Sequence, residues 1–296
     1  MKNFLLKIAL FTLILCITIL LIEYLLRSTA FGHVYNKRYL DEYASSIEVF
    51  ALGNSLIWSG IDPNFIPYNA FNAANNGQNY MLSLEILKMY WENLDNLELV
   101  IINIDHDILI RPPIPHYNYT IAYGFKSDRL QDYFIFSNLP LQRSVFRIID
   151  YYFLNKRFRH GEQQTLGNHL SDKIANINQV QRECSQENIY RVSEQELNII
   201  YQNIDYLSNI AQLLMTRKID LLLITTPMHP IRRDWTNPEY FNRVHATVDY
   251  LQSIYPNVYY IDFFYDTDFD ENDFSDSHHI NQFGAEKLSR KISVGN

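Results

Sequence analysis

Four short apolar segments along the chain have the composition of buried β-strands. They cover residues 47–52, 97–104, 220–225 and 258–263, and they are rich in β-branched and aromatic side chains. Glycine or proline follows closely after two of them, at Gly53 and Pro227. Short apolar runs bounded by such residues are typical of strands buried on both faces of a sheet.

Between these segments, apolar residues recur at the spacing of an α-helix. Three helices are predicted, over residues 81–94, 194–215 and 287–294. The longest has apolar residues three or four positions apart, at Leu197, Ile200, Ile204, Leu207, Ile210 and Leu214. Because strands that alternate with helices form parallel sheets covered on both faces, the pattern predicts a three-layer α/β/α fold with a mainly parallel central sheet.

The N-terminus has a different pattern. Residues 4–22 are apolar except for Lys7, Thr12 and Thr18. A run of this length is about sufficient to cross a bilayer as a helix, so we predict a membrane anchor within residues 1–30. A cleaved signal peptide is the alternative, because Ser28-Thr29-Ala30 has the small residues that a signal peptidase requires. In both cases the rest of the chain is expected outside the cytoplasm.

A second irregularity lies at about residues 111–193, a stretch rich in Tyr, Phe, Arg and Asn that begins with three prolines. We interpret it as an insertion within one domain that covers residues 46–294. Long insertions in compact domains commonly contribute to function.

Composition narrows the class of protein. The chain has 296 residues, of which 47% are hydrophobic and 15% aromatic, as expected for a folded domain. A formal net charge of −8 gives no support to a nucleic-acid partner. Two cysteines, Cys16 and Cys184, provide neither a disulfide framework nor a cysteine metal site, and we expect no cofactor and no metal.

The first candidate for chemistry follows the first predicted strand. Gly53-Asn54-Ser55-Leu56 places a serine at the start of an apparent helix, after a residue that permits a sharp turn. There the hydroxyl is suited to attack on a carbonyl and the backbone N–H groups to binding an oxyanion. Ser55 has an equally simple alternative as a helix cap, because serine is common at that position.

The second candidate lies near the other end, in Asp276-Ser277-His278-His279. An aspartate three residues before a histidine can hold its Nδ1–H in a tight loop and leave Nε2 to accept a proton from a serine. This spacing selects His279 as the base and Asp276 as the residue that orients it. His278 is interpreted as a surface or lid contact.

These segments together resemble the SGNH, or GDSL-like, hydrolase family. Gly53-Asn54-Ser55-Leu56 is similar to the first conserved block, residues 72–77 to the second, and residues 276–285 to the last. The resemblance implies a flavodoxin-like fold and a triad of Ser55, Asp276 and His279. It also implies that the N–H groups of Ser55 and Gly77 bind the oxyanion.

The third block departs from that family. The usual Gly-x-Asn-Asp is replaced by Asp105-His106-Asp107, so the asparagine that supplies another oxyanion donor is not at its expected place. Asn75, Asn76 or His106 are the candidates to replace it. Further residues predicted to line the site are Asn54, Asn76, Asp107 and His229.

The N-terminal anchor and Gly60-Ile61-Asp62-Pro63 are similar to a membrane-bound subgroup that includes the teichoic-acid D-alanylation protein and alginate O-acetyltransferase components. This resemblance implies a serine esterase or O-acyltransferase that modifies acylated cell-surface polysaccharide. The expected partners are the membrane, a cell-surface glycan or other acylated substrate, and a membrane-bound acyl donor protein. A catalytically inactive protein of the same fold, serving in surface-polymer assembly or binding, is the alternative.

One acidic segment imitates a metal site. Asp266, Asp268 and Asp270 have the spacing that opens a calcium loop, but Glu271 occupies the position that requires glycine. We therefore expect a solvated acidic loop there.

Overall fold

The computed structural model describes residues 2–27, 31–114, 116–138, 142, 148–149, 166–185, 193–236 and 239–294. The chain forms two compact units, Met1–Lys37 with Pro115–Glu162, and Arg38–Ile114 with Gln163–Asn296. The predicted signal-peptidase site at residues 28–30 and much of the predicted insertion lie outside the described residues. The division into an anchor and one domain with an insertion stays a prediction.

The described residues of the first unit are mainly helical. Its helices are α1 (Lys2–Arg27), the first part of α2 (Phe31–Tyr43), α6 (Tyr117–Tyr123) and α7 (Ile135–Asn138). Helix α1 is long and apolar enough to cross a membrane or to serve as a signal sequence. The sequence pattern did not predict α2, which has no clear apolar face.

The last turns of α1 pack within this unit. The carboxylate of Glu23 accepts a hydrogen bond from the Ile135 N–H at 3.1 Å. The Arg27 guanidinium donates to the carbonyl of Tyr133 at 2.7 Å. Leu26 and Ile135 are completely buried in the same cluster. The C-terminal end of α1 is therefore part of the packed structure of the unit.

The second unit contains a five-stranded, fully parallel sheet. Its strands are β1 (Val49–Leu52), β2 (Ala70–Asn72), β3 (Leu99–Asn103), β4 (Asp220–Thr225) and β5 (Val258–Asp262), in the order β2-β1-β3-β4-β5. This is the flavodoxin-like order, and the predicted fold is confirmed. The four predicted strands are present. The fifth, β2, was not predicted because three residues are too few to establish a pattern.

Helices cover both faces of the sheet. The α-helices described in this unit, besides the last part of α2, are α3 (Ser55–Gly60), α4 (Tyr80–Tyr90), α5 (His106–Leu109), α8 (Ile177–Ser185), α9 (Glu194–Met215), α10 (Pro230–Trp235), α11 (Glu239–Ile254) and α12 (Gln282–Val294). Helix α9 has the predicted bounds and begins with a capping box of Ser193 and Glu196. Helix α12 begins five residues earlier than predicted, because the side chain of Asn281 accepts hydrogen bonds from the N–H groups of Phe283 and Gly284.

Alternation along the strands supplies two apolar faces. On one face Val49, Ala51 and Ile101 pack with Ile57 of α3 and Leu288 of α12. The residues that alternate with them are buried on the other side, where α9 packs on β4. Ser55 follows β1 and the Asp276–His279 loop precedes α12. Because α3 and α12 contact each other on the same face, the two segments are brought together.

Candidate active site

Ser55 lies on a sharp turn between β1 and α3. Gly53 has a φ of +134°, and a Cβ at this position would collide with the side-chain oxygen of Asn103. Asn54 is the N-cap of α3, because its side chain accepts a hydrogen bond from the Leu56 N–H at 2.9 Å. Ser55 is the first helical residue. The capping role is thus performed by Asn54, and the hydroxyl of Ser55 is left for another contact.

Substituting Gly53 by alanine is expected to distort this turn. The left-handed φ alone costs an L-residue about 1–3 kcal/mol, and the collision with Asn103 forces a further shift. Thermal unfolding of the full chain should show a lower Tm, together with a loss of Ser55 reactivity. Gly124→Ala is the matched control, since Gly124 also has a positive φ of +74° but no atom within 4 Å of its added Cβ. Equal effects of both substitutions would show that crowding against Asn103 is unimportant.

The loop before α12 folds Asp276 back onto its own backbone. One carboxylate oxygen, Oδ1, accepts the N–H groups of His278 at 2.9 Å and His279 at 2.8 Å. The other, Oδ2, is 2.8 Å from Nδ1 of His279. The carboxylate therefore fixes both the loop and the orientation of one imidazole. The spacing of three residues is what allows all of these contacts.

The second nitrogen of His279 contacts the turn after β1. Its Nε2 atom is 2.8 Å from Ser55 Oγ, across a separation of 224 residues in the chain. A neutral imidazole whose Nδ1–H is donated to Asp276 has an acceptor at Nε2, so Ser55 Oγ–H donates to it. The structure brings the three predicted residues into one hydrogen-bonded series in the order that acyl transfer to serine requires.

The surroundings of Asp276 favour its ionised form. Burial raises the pKa of this carboxyl. The hydrogen bond from His279, the attraction of the His278 and His279 rings whenever they are protonated, and the backbone N–H of His278 oppose burial and hold the pKa well below its usual range. The loop is further held by Glu183 of α8, whose Oε2 accepts the Ser277 N–H at 3.1 Å. Asp276 is consequently an anion at every pH at which an esterase works.

The imidazole of His278 contacts the hydroxyl of the neighbouring Ser277. Its Nδ1 is 3.1 Å from Ser277 Oγ, and 39% of its side chain is exposed. Burial of part of the ring and the neighbouring His279 lower the pKa of His278 to about 4. At neutral pH this imidazole is uncharged.

This depressed pKa makes stability depend on pH in one direction. Between about pH 6.5 and 4 the unfolded chain binds a proton at residue 278 that the folded chain does not. The contribution of His278 to the free energy of unfolding is therefore fully present above about pH 6.5 and is lost as the pH falls toward about 4. His278→Gln should remove this contribution. After allowance for screening of an exposed ring, we expect the fall in Tm between pH 7 and pH 5 to be about 2–4 °C smaller in the variant. Identical falls in both proteins would contradict the assignment.

A buried network of polar side chains stabilises the turn between β1 and α3. Asn103, the last residue of β3, accepts the Asn54 N–H through Oδ1 at 3.3 Å and donates through Nδ2 to Asp105 Oδ2 at 2.6 Å. The other carboxylate oxygen of Asp105 caps α5 by accepting the Ile108 N–H at 2.9 Å. Burial, and then repulsion from Asp107, raise the pKa of Asp105 to about 6. The side-chain amide of Asn103 thus holds the turn and is committed to Asp105.

Sequence reasoning did not identify Asn103 or Glu183. Asn103 lies inside the predicted strand of residues 97–104. Glu183 lies 94 residues from its partner Ser277. An asparagine at the end of an apolar strand was the one signal available, since a buried amide requires polar partners.

The predicted lining residues are in different environments. Asn54 is buried as the cap of α3. Asn76 and Asp107 are exposed. His229 is buried, accepts the Ile231 N–H at the start of α10 and packs its ring edge-on against Phe274. Its backbone N–H also donates to the carbonyl of Ser277 at 3.4 Å, so it supports the loop that carries His279.

Gly77 lies in the loop after β2, in a left-handed conformation with a φ of +75°. The loop is tied to the turn at Ser55, because Asn75 donates its N–H to the carbonyl of Gly53 at 3.1 Å. The guanidinium of Arg111 is beside it, with Nη1 3.8 Å from the position that a Cβ on Gly77 would occupy. Gly77 as an oxyanion donor stays a prediction.

Two groups of side chains have the chemistry of metal ligands. Asp276, His278 and His279 have one ligand atom each within 4.8 Å of the others, but the contacts of His279 with Asp276 and Ser55 already use both of its nitrogens. In the calcium-like segment, Lys291 Nζ is 2.6 Å from Asp266 and 2.5 Å from Asp268. An ammonium therefore neutralises carboxylates that we expected to be solvated.

Comparisons with known proteins gave one partial profile match and similarities to solved structures at low identity. A protein-family profile matches residues 171–294, less than half of the chain. No curated protein matches the sequence. Three solved structures are similar: a GDSL-like lipase from Bacteroides thetaiotaomicron, an acylhydrolase by its given name from Bacteroides fragilis, and a Streptococcus pneumoniae protein named for platelet activating factor.

The identities are 14%, 12% and 10%, in that order, and the TM-scores are 0.43, 0.40 and 0.41. The alignments cover 89%, 87% and 93% of this chain, and 98%, 95% and 96% of the other chains. Likenesses this distant carry no argument about activity. What is established is an α/β fold with a parallel sheet in the order that the resemblance to GDSL-like hydrolases predicts.

Proposed function

We propose that this protein is a serine-dependent acyl ester hydrolase or O-acyltransferase that acts outside the cytoplasm on acylated cell-surface polysaccharide. The observation that supports it most strongly is the series Ser55 Oγ–His279 Nε2 and His279 Nδ1–Asp276 Oδ2, with both distances at 2.8 Å. Each contact has the length of a hydrogen bond that is ready for proton transfer.

The reaction has two halves. Ser55 Oγ attacks the ester carbonyl while His279 Nε2 accepts its proton, and the N–H groups of Ser55 and Gly77 hold the oxyanion. The C–O bond to the leaving alcohol then breaks, and His279 returns the proton to that alcohol. In the second half, water or a sugar hydroxyl attacks the acyl carbonyl and gives its proton to His279 Nε2. The bond between the acyl carbon and Ser55 Oγ then breaks, and His279 returns the proton to Oγ, so that free Ser55 is restored. Hydrolase and transferase differ only in which of these acceptors reaches the acyl-serine.

The N-terminal helix supports a permanent membrane attachment. Glu23, Leu26 and Arg27 pack within the first unit, and cleavage near residue 30 would remove their contacts. We therefore favour a single-pass anchor with the hydrolase unit on the extracytoplasmic side. A transferase in this position would receive its acyl group from a membrane-bound donor protein.

A fluorophosphonate probe tests the proposal, because it forms a covalent bond only with an activated serine. The full-length protein in detergent should be labelled, and peptide mapping should locate the adduct on Ser55. Ser59→Ala is a matched control one turn along α3, and its label should be unchanged. A wild-type protein that is never labelled, or a label that survives Ser55→Ala, would contradict the enzyme.

The alternative is a non-catalytic protein for surface-polymer assembly, and one observation favours it. The amide of Asn103 donates to Asp105, so it does not replace the missing donor of the third block. The discriminating experiment is complementation of a deletion strain with a Ser55→Ala/His279→Ala double variant. Full restoration of the acylated surface polymer would establish the non-catalytic role, whereas failure by a folded double variant would support the enzyme.

A further inference from the structure

An open cleft lies between α8 and the end of α10, two helices that contact the loop carrying His279. Its volume is about 860 Å³, and α8, the residues just before it and the end of α10 line it. The lining side chains are Asn176, Asn178, Gln179, Gln181, Arg182 and Trp235. This volume is within the range of natural ligand sites, which is roughly 300–1,000 Å³.

Both walls of the cleft are attached to the loop. Glu183 of α8 accepts the N–H of Ser277 at 3.1 Å. Arg232 of α10 has its guanidinium 3.5 Å from Ser277 Oγ. Ser277 directly follows Asp276 and precedes His279 by two residues. A ligand held between α8 and α10 is thus held by the same elements that fix the catalytic loop.

The chemistry of the lining selects the class of ligand. Four of the six side chains are amides, and none is a carboxylate. Gln179 is already hydrogen-bonded to Lys173 and Glu183, so the amides of Asn176, Asn178 and Gln181 supply the donors and acceptors. Trp235 adds a large aromatic ring with 59% of its surface exposed. Hydroxyl groups match the amides as both donors and acceptors. The C–H face of a sugar ring matches an exposed indole, which supplies a large contact area at low entropic cost.

We propose that this cleft binds the sugar chain of an acylated or acyl-accepting polysaccharide and directs it toward Ser55. The inference rests on the proposed function and adds a binding subsite to it. Trp235 stacks on one sugar ring, and Asn178 and Gln181 contact hydroxyl groups. Arg182 gives the cleft a positive charge, which also accommodates uronic acids or other anionic sugars.

Trp235→Ala separates this subsite from the catalytic centre. The substrates are p-nitrophenyl acetate, which has no sugar ring to stack on Trp235, and a panel of acetylated five-sugar oligosaccharides with neutral, amino-sugar and uronic-acid backbones. We expect kcat/KM for at least one oligosaccharide to fall about tenfold, through a higher KM, as for loss of one well-packed aromatic contact. Turnover of p-nitrophenyl acetate should not change.

Trp235→Phe should recover part of the loss, because it keeps a ring for stacking. Gln181→Ala should also raise the KM without changing kcat. Trp91→Ala is the control for loss of an indole elsewhere, since Trp91 stacks with Arg217. It should leave both substrates unaffected.

The remaining outcomes contradict the inference in distinguishable ways. An unchanged KM for every oligosaccharide in Trp235→Ala overturns the subsite while the proposed function stands. The same follows if the wild type hydrolyses p-nitrophenyl acetate but neither binds nor cleaves any oligosaccharide. Equal losses on both kinds of substrate show a structural role for Trp235 and also overturn it. Absence of Ser55 labelling in the wild type refutes the proposed function itself.

Discussion

Replacing Ser55 by alanine is expected to lower kcat/KM for p-nitrophenyl acetate by about 10⁴-fold or more, with no matching loss of stability. The reason is that Oγ is the atom that forms the acyl-enzyme, and loss of a triad serine removes most of the rate enhancement. The residual rate should be that supplied by binding and by backbone N–H groups alone. Steady-state kinetics of the purified full-length protein measure the change.

Stability should be preserved because Ser55 is not the helix cap. The side chain of Asn54 accepts the Leu56 N–H at 2.9 Å, and alanine is well tolerated at the first helical position. Asn54→Ala provides the reciprocal experiment, with a predicted loss of about 1 kcal/mol from the cap. If Ser55→Ala lowered Tm as much as Asn54→Ala and left activity intact, Ser55 would be a structural residue.

The sequence predicted the parts of the fold that depend on local pattern. Runs such as 220–225 and the spacing in 194–215 correspond to β4 and α9 within the same bounds. Helix α11 and strand β2 were missed. For α11 a local signal was present, because Phe241, Val244, Val248 and Leu251 have helical spacing and are buried. Strand β2 depends on tertiary contacts, since it pairs with β1 over only three residues. Local periodicity does not contain such information.

The candidate site was predictable in its residues but not in its surroundings. A spacing of three residues can be read directly in Asp276–His279, while the contact of His279 with Ser55 spans 224 residues. In the third block, Asp105-His106-Asp107, the sequence predicts that Asp107 lines the site. In the structure Asp107 is exposed and Asp105 is the buried carboxylate, held by Asn103. Only the folded strand shows which carboxylate points inward.

Substituting Asp276 by asparagine is expected to have the second largest effect, a loss of about 10³–10⁴-fold in kcat. The carboxylate accepts the Nδ1–H of His279 at 2.8 Å and so keeps Nε2 as the acceptor. An amide can donate its own N–H to Nδ1 instead. The imidazole would then carry its proton on Nε2, facing Ser55, where it is unable to remove a second one.

The same substitution should preserve the loop. An asparagine oxygen can still accept the N–H groups of His278 and His279, which the carboxylate now accepts at 2.9 and 2.8 Å. The Tm should therefore fall far less than the rate, and fluorophosphonate labelling of Ser55 should become slower by a similar factor to kcat. A large loss of Tm would assign Asp276 to the structure of the loop.

His278→Gln is the matched control for this experiment, because His278 lies next to His279 and 3.5 Å from the same carboxylate. It makes its contact with Ser277 rather than with Ser55, so its rate should stay within a factor of about three of the wild type. A collapse of activity in His278→Gln with retention in Asp276→Asn would reverse the assignment of the base. The hydrogen-bonded series from Asp276 through His279 to Ser55 requires the opposite result.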